Sequence, residues 1–307
     1  MDWIEGIQEA IDYIEEHINE KIDYDQLAQV ANSSSYHFQR VFGIVCGLTI
    51  GEYIRKRRLT LSGEELLKKK IKVIDLALKY GYDSVESFSR AFRQFHGINP
   101  SRVKNGCSLN SFSRLTLKLN KIGGNEMKYK ITEVPKLTLI GYKKHFTGAT
   151  YGEDRAKQES EFFKNTRHEQ QLLIENSCDE TTDYCVITNV NDEGYDFYIA
   201  YEFNECEADK LFCVNKDKEN LIDQKKFEIL EIPQSLCVVF ETQKKKRPIN
   251  EYIEVRQKII SDWLPSSDYI FANLPEVVAM HWRPNGDWAK ERYIEIRLPI
   301  ENKTKIR

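Results

Sequence analysis

Several signals that would assign a compartment or a cofactor are missing from this 307-residue chain. None of its seven cysteines forms a C-x-x-C pair, and the odd count argues against a disulfide framework. No apolar run approaches the ~20 residues of a membrane span. The acidic first residues are unlike a signal peptide. We therefore expect a cytoplasmic protein with reduced thiols, no metal or other cofactor, and no membrane partner.

Familiar catalytic motifs are also missing. Between 127 and 307 there is no G-x-S-x-G, no H-E-x-x-H and no phosphate-binding loop. His145, His168 and His281 are scattered without metal-ligand spacing. These absences favour a binding protein over an enzyme.

Charge is distributed unevenly along the chain. The net charge of −3 combines about −8 in residues 1–35 with about +8 in residues 36–104. A basic face is what a DNA-binding domain needs, because release of phosphate counterions supplies much of the affinity. The first third of the chain is therefore a candidate for binding DNA.

An internal repeat with a spacing of about 50 residues lies in the same region. Phe38-Gln39-Arg40-Val41-Phe42 precedes Gly47, and Phe88-Ser89-Arg90-Ala91-Phe92 precedes Gly97. A short apolar helix with an alanine comes before each copy, at 27–31 and 76–80. A repeated helix, tight turn and helix predicts two tandem helix-turn-helix modules in an all-α domain.

Each module has candidate turn, core and contact residues. Asn32 and Gly81 fall where a turn needs left-handed backbone. The predicted inward residues are Phe38, Val41, Phe88 and Phe92. The candidate DNA contacts are Tyr36, His37, Gln39 and Arg40 in the first module, and Glu86, Ser87 and Arg90 in the second. Arginine can pair bidentately with guanine, and glutamine with adenine. An ordinary helical bundle is disfavoured by the repeat, the turn residues and the charge together.

Two features of this region allow more than one interpretation. Glu86 could accept a hydrogen bond from cytosine, but Asp83-x-x-Glu86 also fits a capping box at the start of a helix, and we favour the cap. The lysines at 68–70 suggest a solvated face. The basic run Arg55 to Arg58 fits a solvated face or phosphate contacts equally well.

These residues resemble the AraC family of bacterial transcription regulators. The second copy carries the resemblance: Ile74-Asp75-Leu76-Ala77, Gly81-Tyr82, Ser87 to Arg93 and Gly97-Ile98-Asn99-Pro100. The similarity covers about residues 5–104, with Asn32 in place of the usual glycine. It implies that two recognition helices enter successive major-groove segments of promoter DNA, one turn or about 34 Å apart. It also implies RNA polymerase as the final partner.

The pattern changes to period two from residue 127. Strands are predicted at 136–146, 184–190, 195–203, 227–232, 236–242, 277–282 and 293–300, with helices near 153–175 and 249–263. Val134-Pro135 and Ile232-Pro233 lead into similar segments. We therefore predict an α+β domain of duplicated strand-helix-strand-strand units, with two sheets joined around a pseudo-twofold. The predicted boundaries are 1–106 for the helical domain, 107–126 for a linker and 127–307 for the α+β domain. Within the linker, apolar and polar residues alternate from Phe112 to Leu119, so we expect this segment to pack against a neighbouring element.

The C-terminal segment contains a candidate ligand site. On a strand, Tyr293, Glu295 and Arg297 share one face. A carboxylate beside Trp282, Trp288 and Tyr293 could receive an aromatic or cationic ligand. An exposed Glu295–Arg297 pair is the equally weighted alternative, and Arg297 could neutralise Glu295 and shift the preference away from cations.

Residues 127–301 also resemble the GyrI-like effector-binding domains, through the strand Glu295-Ile296-Arg297-Leu298-Pro299-Ile300. The same domain order occurs in the regulator Rob and its relatives. The resemblance implies Glu295 as the central ligand-binding residue, with Tyr293, Trp282 and Tyr198 or Tyr201 as walls of the site.

Three functions follow from these patterns. The leading one is a sequence-specific transcriptional regulator that binds promoter DNA and is controlled by a small aromatic or cationic effector (a multidrug-type ligand). The alternative is a hydrolase of small electrophilic compounds fused to its own DNA-binding domain, with Glu295 as general base. A drug-sequestering protein without transcriptional output is the third, and the intact tandem recognition helices argue against it.

Overall fold

The computed structural model describes residues 3–68, 71–104, 106–117, 127–203, 227–282 and 291–302. The chain divides into two units, Met1–Asn120 and Lys121–Arg307. Within the described residues, no helix is long and apolar enough to cross a bilayer.

The first unit is all-α, as predicted. Its helices are α1 (Trp3–Glu16), α2 (Tyr24–Val30), α3 (Ser35–Cys46), α4 (Ile50–Lys68), α5 (Val73–Lys79) and α6 (Val85–His96), followed by a 3-10 turn (Pro100–Arg102). Phe38, Val41, Phe88 and Phe92 are all buried, which confirms the predicted inward positions. Phe88 and Phe92 form one core cluster with Leu59 from α4 and with Leu76, Ala77 and Tyr80.

The first half of the predicted linker packs on this unit. Phe112 lies edge-on to Tyr53, with 6.1 Å between ring centroids. The Phe112 amide donates to Thr60 Oγ1 at 2.9 Å, and its carbonyl accepts from Arg57 Nη1 at 2.6 Å. The Leu117 amide donates to Gln8 Oε1 at 2.7 Å. The alternation from Phe112 onward therefore does mark a packed segment as far as residue 117, and 118–126 lie outside the described residues.

The second unit is a curled antiparallel sheet with helices. Its strands are β1 (Tyr129–Val134), β2 (Leu137–Thr147), β3 (Thr182–Thr188), β4 (Gly194–Glu202), β5 (Glu228–Ile232), β6 (Ser235–Glu241), β7 (Tyr269–Phe271), β8 (Glu276–His281) and β9 (Tyr293–Asn302). Its helices are α7 (Glu153–Asn165), α8 (Arg167–Asn176), α9 (Ile249–Lys258) and α10 (Leu264–Ser266), with a π turn at Ile259–Trp263. The seven predicted strands are confirmed, and β1 and β7 were missed.

The sheet order is β1-β6-β9-β8-β3-β4-β2-β5, with β7 beside β9. The two halves meet at the β3–β8 pair, and their registers relate them by a pseudo-twofold through the opposed residues Cys185 and Val278. The first strand of each half pairs with the other half, because β1 lies on β6 and β5 lies on β2. The duplication is confirmed, but it builds one continuous sheet instead of two.

The two faces of this sheet differ in composition. One face packs against helices and is aromatic: Phe162 from α7 contacts Tyr142 and Phe146, and Trp263 contacts Phe240. The other, which we call the Glu295 face, carries an apolar cluster of Leu139, Tyr184, Val186, Tyr198, Ala200, Ile232, Val277 and Ala279. Charged side chains border this cluster, and the candidate ligand site lies among them.

Candidate nucleic-acid interface and ligand site

The turns of the two helix-turn-helix modules have the same backbone geometry. Asn32 and Gly81 adopt left-handed φ values of 49° and 74°, as predicted. In each turn the next amide reaches back five residues, from Ser33 to the Ala28 carbonyl and from Tyr82 to the Ala77 carbonyl, at 2.8 and 2.9 Å. The small alanines allow the helices of each module to approach closely.

The second turn is one residue longer than the first. Ser34 caps α3, where its Oγ accepts from the His37 amide at 3.4 Å. Ser84 caps α6 and accepts from the Ser87 amide at 3.1 Å. The extra residue places Asp83 in the turn, so the predicted Asp83–Glu86 capping box is wrong and Ser84 fulfils that role.

The second recognition helix presents its candidate contacts to solvent. Glu86, Ser87 and Arg90 are all exposed, while Phe88 and Phe92 anchor the opposite side of α6. The Ser87 hydroxyl donates to the Ser84 carbonyl at 2.9 Å. A capped helix with an exposed arginine in its first half is suited to reading base edges.

The first recognition helix differs from the expectation of outward side chains. Arg40 is only 2% exposed and His37 only 8% exposed. Arg40 Nη1 lies 3.3 Å from the hydroxyl of Tyr36, one helical turn earlier. Gln39 Nε2 donates to Ser35 Oγ at 3.2 Å, and Tyr36 and Gln39 are half-buried. The structure therefore does not present Arg40 and His37 outward as it presents Arg90.

The basic run in α4 is largely structural. Arg57 pairs with Glu15 through Nε and Nη2, at 2.8 and 2.9 Å. Arg58 donates to the Ile18 and Glu20 carbonyls at 2.8 and 2.6 Å. Arg55 and Arg58 both line a cavity of about 320 Å³. Arg57 and Arg58 thus hold the end of α1 against α4.

The Glu295 face is organised by a row of residues that lie opposite one another across seven strands. From β5 to β6 the row is Glu228, Gly141, Ala200, Tyr184, Ala279, Glu295 and Glu241. A Cβ at Gly141 would lie 2.6 Å from the Ala200 Cβ, so only glycine fits there. The small residues around Tyr184 leave its ring as the largest group in the middle of the row.

The pseudo-twofold relates two ion pairs of opposite polarity on this face. Lys130 on β1 pairs with Glu241 on β6 at 2.6 Å, and Glu228 on β5 pairs with Lys143 on β2 at 3.0 Å. Glu295 occupies the position that Tyr198 has in the other half. The duplication therefore produced two chemically different ends, of which the Glu295 end is richer in charge.

Three basic groups surround the Glu295 carboxylate. Arg297 donates to Oε2 from Nε at 3.0 Å and from Nη2 at 2.6 Å. Lys130 Nζ lies 3.7 Å from Oε1, and His281 Nε2 lies 3.9 Å from Oε2. Burial by itself raises the pKa of Glu295, but the neighbouring His281 and Arg297 outweigh it and lower the pKa to about 2. Glu295 is a paired, permanently ionised carboxylate at neutral pH.

Aromatic rings lie beside this carboxylate. The His281 ring stacks on Tyr293 with centroids 4.2 Å apart, and its Nδ1 lies 3.0 Å from Thr182 Oγ1. Trp282 follows directly after β8, where its amide donates to the Thr181 carbonyl and its carbonyl accepts from Arg292 Nε, both at 3.1 Å; alternation from His281 directs its side chain away from the Glu295 face, which corrects its prediction as a wall of the site. The site thus combines π faces with a cluster of fixed charges.

The structure brings some of the predicted ligand residues together and separates others. Glu295 and Tyr293 share the face with Tyr198, which lies on β4, two strands beyond β8. Tyr201 is fully buried on the opposite, helix-packed face, because residues three apart on a strand point to opposite sides. Trp288 lies outside the described residues.

Sequence reasoning missed other members of this site. Lys130 and Glu241 come from β1 and β6, far from Glu295 in the chain, and Tyr184 comes from β3. The sequence predicts no role for His281, because it lacks metal-ligand spacing. Its contact with Glu295 depends on the β8–β9 register, for which the sequence holds no local signal.

Comparison with known proteins assigns both units of the chain to known domain types. Residues 127–301 match the GyrI-like small molecule binding domain, and residues 27–106 match a helix-turn-helix domain. The chain belongs to the GyrI-like family and carries an AraC-type DNA-binding domain ahead of that domain.

The relatives of the DNA-binding part are regulators. The chain is 40% identical over 95 residues to the HTH-type transcriptional activator AarP of Providencia stuartii, covering 31% of this chain and 70% of AarP. It is 40% identical over 95 residues to the regulatory protein SoxS of Salmonella typhimurium, covering 31% of this chain and 89% of SoxS.

A solved structure, SAV2435 bound to tetraphenylphosphonium, aligns at 16% identity and a TM-score of 0.41, covering 57% of this chain and 94% of that chain.

Proposed function

We propose that this transcription regulator reads double-stranded promoter DNA chiefly through the exposed face of α6. The observation that carries this is the contrast between the two recognition helices: Arg90 is exposed, whereas Arg40 is buried. In the second module Glu86 and Ser87 accompany Arg90 at the open end of the helix. From the first module, Tyr36 and Gln39 are the half-exposed candidates.

The small-molecule-binding domain supplies the control. We place the ligand on the Glu295 face, against Tyr293, with Tyr198 at the far side of the apolar cluster. Ligand binding changes DNA affinity only if the ligand prefers one of two states of the chain. RNA polymerase is the expected final partner, and the cytoplasm, where bacterial promoters are, is the expected location.

A hydrolase function is less well supported than sensing. A general base works best when its pKa lies near the working pH. The pKa of Glu295 is lowered to about 2, because His281 and Arg297 outweigh the effect of burial. Such a carboxylate is a weak base, so we propose that the domain binds its ligand without converting it.

The experiment that tests DNA reading is selection of binding sites from a random duplex library with the full chain. We expect an enriched sequence with two elements about one helical turn apart. Arg90→Ala should reduce affinity for the selected duplex by about 1–3 kcal/mol and reduce affinity for a scrambled duplex much less. Arg102→Ala, which removes an arginine outside both modules, is the control. Equal losses on both duplexes would contradict base reading by Arg90.

A further inference from the structure

We propose that the ligand site on the Glu295 face selects an aromatic compound bearing an anionic group, such as an arene carboxylate, and rejects aromatic cations. This inference rests on the proposed sensing function and adds the charge of the ligand. It follows because the charged groups and aromatic rings of the site already interact with one another.

Glu295, the carboxylate at the centre of the site, is already neutralised, and the nearby Glu202 accepts a hydrogen bond from the Tyr184 hydroxyl at 3.2 Å. Glu295 accepts two hydrogen bonds from Arg297, and Lys130 lies 3.7 Å away on its other oxygen. Lys130 also pairs with Glu241, so Glu295 and Glu241 are balanced by two permanent cations. A cationic ligand would have to displace the guanidinium of Arg297, and leave it without its partner, before it could contact Glu295.

The aromatic faces that would hold a cation are also occupied. Each of the three tyrosine rings on this face has a cation of the protein itself within 6.0 Å of its centroid. These pairs are Arg297 with Tyr184, Lys143 with Tyr198, and Lys244 with Tyr293, at 6.0, 5.9 and 5.5 Å. Because cation–π attraction is used internally, an incoming cation meets repulsion at each ring.

The same arrangement leaves donors for an anion. Lys244 is exposed, stands over Tyr293 and makes no ion pair among the described residues. Arg297 uses Nε and Nη2 for Glu295, while its Nη1 has no hydrogen bond to any described residue. An aromatic ring against Tyr293 with its carboxylate toward these two cations would gain stacking and charge-assisted hydrogen bonds together.

Calorimetric titration of the full chain with three matched probes tests the proposal: 2-naphthoate, 2-naphthylmethanol and 2-naphthylmethylammonium. They share one ring system and differ in charge. We expect 2-naphthoate to bind at least tenfold more tightly than the other two. Arg297→Gln and Lys244→Gln should each weaken naphthoate binding severalfold. Lys244 is exposed, so its variant keeps the test valid if Arg297→Gln does not fold. Lys136→Gln, at an exposed lysine paired with Glu231, is the control and should change nothing.

The other outcomes each overturn the proposal in a recognisable way. If the ammonium binds most tightly and Glu295→Gln abolishes that binding, the site is a cation receptor and the sensing function stands. If the alcohol binds as tightly as the carboxylate, the site recognises shape alone. If none of the three binds, the proposal fails and ligand sensing on this face loses its support, while DNA reading by α6 is tested separately by the duplex selection.

Discussion

Arg297 donates two hydrogen bonds to a single carboxylate oxygen of Glu295, its neighbour two positions earlier on the same face of β9. The sequence left open whether these two residues form a ligand site or a self-contained pair. The structure shows that they are paired and that the pair lies among aromatic rings. In our proposal, this pairing makes Arg297 the residue that determines which charge the site accepts.

Removing Arg297 should make Glu295 a weaker acid. Since the charge and hydrogen bonds of Arg297 help to lower the pKa of Glu295 to about 2, Arg297→Gln should raise that pKa. Carboxyl carbon NMR titration of glutamate-labelled protein would measure the change, with Lys136→Gln as control. An unchanged pKa in Arg297→Gln would show that the pair does not form in solution.

Gly81 is predicted to be more sensitive to substitution than Gly97. Both have left-handed backbone, with φ values of 74° and 76°, where an alanine costs about 1–2 kcal/mol. A Cβ at Gly81 would also lie 2.8 Å from Arg58 Nη1, whereas a Cβ at Gly97 would meet nothing within 4 Å. Urea unfolding should show a larger loss for Gly81→Ala than for Gly97→Ala. Equal losses would mean that Arg58 moves aside without cost.

Acidification should weaken the first unit through Glu15. Burial raises the pKa of Glu15, but hydrogen bonds from Arg57 and Tyr53 outweigh it and lower the pKa below its usual value. A carboxyl whose pKa is lower in the folded state stabilises the fold above its unfolded pKa, and this stability is lost as pH falls through the folded pKa. Helical circular dichroism during urea unfolding should therefore show a weaker pH dependence below about pH 5 for Glu15→Gln.

The control for that experiment is the adjacent Glu16→Gln, because Glu16 is exposed. It should keep the pH dependence of the unmodified chain. If both variants behave alike, the Glu15–Arg57 pair contributes nothing specific to acid stability.

The second unit should depend strongly on one buried ion pair. Arg256 on α9 pairs with Glu276 on β8, and their side chains are 8% and 1% exposed. Tyr252 joins them, because its hydroxyl lies 3.3 Å from Arg256 Nη1. Glu276→Gln would leave a buried guanidinium without its counter-charge, and we expect a loss of about 3–5 kcal/mol in the free energy of unfolding.

Glu231→Gln is the matched control for this prediction. Glu231 pairs with Lys136 at 3.1 Å, but both side chains are largely exposed, and such pairs contribute about 0–1 kcal/mol. Similar losses in the two variants, measured by chemical unfolding, would contradict the role of burial.

Local patterns predicted much of this architecture, and long-range pairing accounts for most of what they missed. The helix-turn-helix repeat was predictable because Asn32 and Gly81 mark the turns and the phenylalanines keep a helical period. The exchange of β1 and β5 between the halves was not, because no local signal specifies which strand β1 pairs with. The sequence therefore does not predict Lys130 as a site residue, although it lies beside Glu295.

The candidate contact residues show the same difference between what local patterns predict and what only the folded structure shows. Arg90 was correctly predicted to be exposed from the helical period of α6. The burial of Arg40 was not predicted, since its sequence position matches that of Arg90 and only the folded structure distinguishes the two. The resemblance implied Tyr198 or Tyr201 as a wall of the site, whereas strand periodicity alone places the two on opposite faces.

The most direct test of the central claim is fluorescence anisotropy of the full chain on its selected duplex, with and without saturating 2-naphthoate. Coupling between a ligand site and a DNA site is typically worth about 1–3 kcal/mol, so we predict at least a fivefold change in the dissociation constant for DNA. In Lys244→Gln the same change should require severalfold more 2-naphthoate. An unchanged DNA affinity, with ligand binding verified by calorimetry, would contradict the claim that this chain is a ligand-controlled regulator.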